Sequence, residues 1–95
     1  MELFDLSGKT ALITGASGGL GESFARALAG AGARVVLAAR RLEKLEALAG
    51  EIKSGGGEAL PLSMDVTDPD SVESAFAAVQ DKLGAPADII VNNSG

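Results

Sequence analysis

Four glycines fall within seven residues in Thr14-Gly15-Ala16-Ser17-Gly18-Gly19-Leu20-Gly21. They sit between the apolar run Ala11-Leu12-Ile13 and a helix-compatible stretch that begins at Glu22. A strand, a Gly-rich turn and a helix start, in that order, form the setting in which such a loop binds a phosphate group. The first amides of a helix have no intrahelical partner, and with the helix dipole they make an anion site. Glycine lets the anion come close because no Cβ intervenes. The sequence contains no His, Cys or Tyr. It therefore lacks an imidazole base, a thiolate nucleophile or metal ligand, and a phenol acid. The chemistry legible here is ligand holding rather than bond breaking.

Elements that could position the loop alternate regularly. Thr10 to Thr14 predicts a strand and Gly19 to Ala31 a helix. In that helix Leu20, Phe24, Ala27, Leu28 and Ala31 share one face, the face expected to pack. Gly30 and Gly32 close it, with Gly32 the better C′ residue. Arg34 leads into Val35-Val36-Leu37-Ala38-Ala39, a run suited to a parallel strand buried on both faces, with Arg40-Arg41 at its carboxyl end. Leu42 to Ser54 predicts a second helix with Leu42, Leu45, Leu48, Ala49 and Ile52 on its stripe, ended by Gly55-Gly56-Gly57. Glu58 to Met64 predicts a third strand, and Pro61 suits an edge position. Asp68 as N-cap and Pro69 at N1 open a third helix to Leu83, with Val72, Phe76, Val79 and Leu83 on one face. Ala87 to Val91 predicts a last strand. In the lead-in, Phe4 and Leu6 are expected to pack on the domain edge.

The order βαβαβαβ implies an α/β fold with a parallel sheet and right-handed crossovers. We expect a Rossmann-type doubly wound sheet, incomplete, with strand order 3-2-1-4. Residues 1–95 read as the amino-terminal part of a single domain. The net charge of −5 argues against nucleic acid as a partner. No apolar run approaches the roughly 20 residues of a membrane helix, and no signal peptide is read, so a cytoplasmic location is expected.

Three elements, each closing a predicted strand, give the chain a resemblance to the short-chain dehydrogenase/reductase family over essentially its whole length. The family's Thr-Gly-x-x-x-Gly-x-Gly element is matched by Thr14 to Gly21, its Asp-Val turn by Asp65-Val66, and its Asn-Asn-Ala-Gly element by Asn92-Asn93-Ser94-Gly95. Ser94 stands where the family usually has Ala. The resemblance implies a nicotinamide dinucleotide cofactor held by Gly15, Ser17, Gly18, Gly19, Leu20 and Gly21 around the pyrophosphate. It implies that Asp65 and Val66 border the adenine, and that Asn92, Ser94 and Gly95 lie near the nicotinamide-side ribose. Gly19 and Gly21 are expected to bring the helix start against the ligand.

In NAD-binding relatives an acidic residue about 20 positions beyond the glycines receives the adenosine ribose hydroxyls. Here Ala39 occupies that place, followed by Arg40 and Arg41. No carboxylate repels a 2′-phosphate, and a guanidinium can pair with one. NADP is expected over NAD, with Arg40 as principal contact, Arg41 beside it and Ser17 as a hydroxyl donor.

The family's catalytic Ser, Tyr and Lys lie beyond the matched region, so this chain is expected to carry the cofactor half only and to be inactive by itself. By resemblance, the parent is an NADP-dependent oxidoreductase moving hydride between cofactor and a carbonyl/alcohol substrate, and relatives are often homo-oligomers. Two alternatives stay open: a dinucleotide-binding module or truncated half-domain without chemistry, and an isomerase or dehydratase role, since one fold hosts many reactions.

Overall fold

Glycine punctuation and β-branched runs divide the described residues into seven elements. The computed structural model describes residues 5–93. Its elements are β1 (Thr10–Thr14), α1 (Gly19–Gly30), β2 (Arg34–Ala39), α2 (Leu42–Ser54), β3 (Glu58–Ser63), α3 (Pro69–Leu83) and β4 (Ile89–Val91). The strands form one four-stranded sheet in the order β3-β2-β1-β4, and every pairing is parallel. This is the doubly wound half-sheet expected from the sequence. β3 lies at an edge, where Pro61 is paired with Leu37 and a missing N–H is tolerated. The expected Ala87 start of the last strand shortens to Ile89, and Phe4 lies outside the described residues.

Alternating residues of the central strands feed two cores, as the pleat requires. Ala11, Ile13, Val35 and Leu37 meet Ala25, Leu45, Leu48 and Ile52 on the side of α1 and α2. Leu12, Val36 and Ala38 meet Met64, Ala75 and Val79 on the side of α3. Burying each large aliphatic side chain contributes about 1.5–3 kcal/mol.

Helix ends follow the glycines. Gly32 has φ 102°, its amide donates to Ala29 O at 3.0 Å, and the Ala33 amide donates to Leu28 O at 3.1 Å. Gly56 repeats this after α2, with φ 93° and bonds from Gly56 N to Lys53 O and Gly57 N to Ile52 O, both 3.0 Å. Both are Schellman caps, which satisfy the orphan carbonyls of the last turn. At the start of α3, the Asp68 carboxylate accepts from the Asp70 amide at 3.0 Å.

The helix faces differ from expectation in one respect. α1 does not pack through Leu20, Phe24 and Ala27, all three of which are exposed. Its buried residues are Gly21 and Ala25, with Leu28 and Ala29 packed partly against the same core. Small residues let the helix axis approach the sheet, and this turns the larger apolar side chains sideways. Leu42 of α2 and Phe76 of α3 are likewise exposed rather than packed, while Ala75 and Val79 bury α3.

Candidate functional site

The glycine loop joins β1 to α1 at the carboxyl edge of the sheet, and its glycines do different work. Gly15 and Gly19 have φ of 64° and 47°, left-handed conformations that disfavour any residue with a Cβ. Gly18 is extended, with φ −164°, and caps α1 without a side-chain hydrogen bond. A Cβ on Gly18 or Gly19 would meet nothing within 4 Å. Gly21 is the opposite case. A Cβ there would collide with the Gly15 carbonyl oxygen and lie 2.8 Å from Asn93 Nδ2. Its role is close packing of α1 on the loop and on the end of β4. The start of α1 thus lacks a side-chain cap and has open space in front of Gly18 and Gly19, an arrangement able to receive an anion. Ala16 N donates to Ala38 O at 3.3 Å, which ties the loop to the end of β2.

On the other side, Thr14 joins the loop to β4. Its hydroxyl accepts from the Asn93 amide at 2.9 Å and faces Val91 O at 3.3 Å and Asn92 Oδ1 at 3.2 Å. Asn93 Nδ2 reaches Gly15 O at 3.5 Å. The carboxamides therefore brace the loop.

Between the ends of β2 and β3 lies a cleft of about 890 Å³. Six residues singled out from sequence line it: Gly15, Ser17, Arg40, Arg41, Asp65 and Val66. Arg40 is positioned by strand pairing, since Met64 N donates to Ala39 O at 2.8 Å and Ser63 Oγ to Arg40 O at 3.3 Å. Gly18, Gly19, Leu20, Gly21 and Asn92 do not line this cleft. Ser94 and Gly95 lie outside the described residues.

Asp65 is organised by its neighbours. Its Oδ1 accepts from the Thr67 hydroxyl at 2.7 Å and the Thr67 amide at 3.0 Å, while its own amide donates to Ser71 Oγ at 2.9 Å. The Thr67 hydroxyl, then the Thr67 amide, hold the carboxyl below its ordinary range; Arg40 adds a smaller pull, and burial opposes them. Asp65 is therefore ionised at neutral pH and works as an acceptor.

Sequence reasoning missed Lys44 and Thr67, which also line the cleft. The Asp65-Val66-Thr67 spacing allows an Asx-turn, but no motif in the sequence aims Thr67 or Lys44 at the cleft. Among the described residues no cluster of His, Cys, Asp or Glu is fit to hold a metal, and no helix is long and apolar enough to cross a membrane.

The family model described as short chain dehydrogenase matches residues 9–95. An uncharacterized oxidoreductase of Caenorhabditis elegans is 51% identical over 90 residues, covering 94% of this chain and 29% of that protein. The crystal structure of a short-chain type dehydrogenase/reductase from Mycobacterium marinum superposes with a TM-score of 0.87 at 51% identity, over 93% of this chain and 34% of that one. A metagenomic short-chain oxidoreductase in complex with NADP gives a TM-score of 0.89 at 44% identity, over 95% of this chain and 40% of that one. The chain thus spans about a third of the length of these relatives.

Proposed function

Because the chain belongs to the short-chain dehydrogenase family, whose members bind a nicotinamide dinucleotide, we propose that it forms the cofactor half of an NADP-dependent oxidoreductase. The observation that carries the NADP assignment is the cleft itself. Arg40 and Arg41 line it, and the residue before them, where an NAD site would need a carboxylate, is Ala39. The NADP complex of a relative at 44% identity supports the same reading.

The donor set fits the cofactor. The uncapped start of α1 behind Gly18 and Gly19 would hold the pyrophosphate through backbone amides. Arg40, with Arg41 and the Ser17 hydroxyl, would hold the 2′-phosphate through charge-assisted bonds. Asp65, kept ionised by Thr67, would accept the adenine amine, with Val66 against the ring. Asn92, Ser94 and Gly95 would face the nicotinamide-side ribose, as the family resemblance implies. NADP when bound supplies a hydride acceptor or donor at its nicotinamide ring. The residues of this chain bind and orient it. The substrate class of the whole protein is a carbonyl or its alcohol.

Titrating the purified protein and its Arg40→Asp variant with NADPH and NADH tests the assignment. The parent should bind NADPH more tightly, and the variant should lose that preference. Equal affinity of the parent for the two cofactors contradicts it.

A further inference from the structure

We propose that Lys44 is a specificity-determining residue of this cleft, a third cation that reads the 2′-phosphate together with Arg40 and Arg41. The inference rests on the NADP reading above and goes beyond it, because nothing in the glycine or strand-end motifs points to Lys44.

Three observations carry it. First, Lys44 lines the same cleft as Arg40 and Arg41, although it belongs to α2 rather than to the strand end. Three cations thus converge from a five-residue stretch on one volume. Second, none of the three makes an ion pair among the described residues, where the ion pairs are those of Arg26 with Glu22 and Glu51; Arg40 feels only a smaller attraction from Asp65. Glu43 follows Leu42 in the first turn of α2, yet it does not line the cleft. The one carboxylate that does line it, Asp65, has its Oδ1 turned to both Thr67 donors, and its attraction to Arg40 is the smaller influence on it, with no ion pair formed.

Third, the placement is unfavourable without an anion. Arg41 is the N-cap of α2 and makes no side-chain cap bond, so Lys44 falls at N3. The N-cap and N3 positions face one another, and in a capping box they hold a hydroxyl and a carboxylate. Here both positions carry positive charge at the positive end of a helix, where cations are disfavoured. A bound phosphate dianion reverses the sign of both penalties. Chemically, the ligand is a phosphomonoester on an adenosine ribose, and lysine suits it as a mobile point charge beside the planar fork of Arg40.

The test uses two ligands that differ only at the 2′-position, adenosine 2′,5′-bisphosphate and 5′-AMP, titrated calorimetrically into the parent protein and into Lys44→Met and Lys44→Arg. Lys44→Met should weaken adenosine 2′,5′-bisphosphate by about tenfold, the size of one charge-assisted bond, leave 5′-AMP unchanged, and leave the ligand-free melting temperature equal or raised. Lys44→Arg should retain the bisphosphate preference. If the parent prefers the bisphosphate and Lys44→Met keeps that preference in full, or loses both ligands alike, the assignment of Lys44 is overturned while the NADP reading stands. If the parent itself shows no preference, both fall.

Discussion

β1 has two neighbours, and the sheet is held together differently on either side of it. Toward β2, five residue pairs are in register, from Thr10 with Arg34 to Thr14 with Ala38. The facing residues Val35 to Ala38 are buried throughout. Toward β4 only three pairs register, and Ile90 remains 55% exposed. That side relies on polar clamps at its two ends. Asp88 accepts from Thr10 N at 2.9 Å and donates its own amide to Thr10 O at 2.8 Å. At the other end Thr14 receives Asn93 N. The groups that would grip the adenosine 2′-phosphate stand on the apolar, tightly packed side. The carboxamides near the loop stand on the side fixed by a few hydrogen bonds. Rigidity at an anion site keeps its donors aimed, and on the proposed reading packing would supply it.

Core truncation should separate the two sides most strongly. Leu37 is fully buried in β2, so Leu37→Ala should cost about 2–5 kcal/mol. Ile90→Ala should cost about 1 kcal/mol or less, given its exposure and the coefficient for partial burial. Urea unfolding of the two variants measures both, and equal costs would break the contrast. Next comes the joint between the sides. Gly21→Ala forces a Cβ onto the Gly15 carbonyl and should cost about 1–3 kcal/mol, whereas Gly18→Ala, which meets open space, should leave the midpoint nearly unchanged.

A smaller effect is expected at the clamp. Thr14→Val keeps the shape of the side chain but removes the acceptor of Asn93 N, a loss of about 1–2 kcal/mol. A thermal melt that does not move would show the clamp to be dispensable. Smallest of all is a pH effect. Asp65 has its folded carboxyl lowered, first by the Thr67 hydroxyl. A lowered carboxyl contributes stability above its unfolded value of about 4 and loses it as pH falls through the folded value. The stability difference between the parent and Thr67→Ala should therefore be larger at neutral pH than in strong acid, as denaturation midpoints at the two pH values would reveal. The same difference at both would contradict the assignment of that bond.

Strand and helix positions were legible in the sequence because glycine closes α1, α2 and α3 and because β-branched runs mark β1 and β2. The parallel sheet followed from the alternation, and the strand order from the doubly wound pattern. The packed face of α1 was not legible. Counting large apolar residues favours Leu20 and Phe24, but a helix laid close on a sheet buries its smallest side chains, and Gly21 and Ala25 do so here. The cleft residues Gly15, Ser17, Arg40, Arg41, Asp65 and Val66 could be named from motifs. Lys44 and Thr67 could not, because each lies in the first turn or approach of a helix, where side-chain direction depends on how that helix docks.

A crystal structure of the protein grown with NADP decides whether this cleft takes a 2′-phosphorylated adenosine, as proposed. The 2′-phosphate is expected within hydrogen-bonding distance, about 3 Å, of the Arg40 guanidinium, with the adenine against Val66. A cofactor bound with its 2′-phosphate in solvent, away from Arg40, would contradict it.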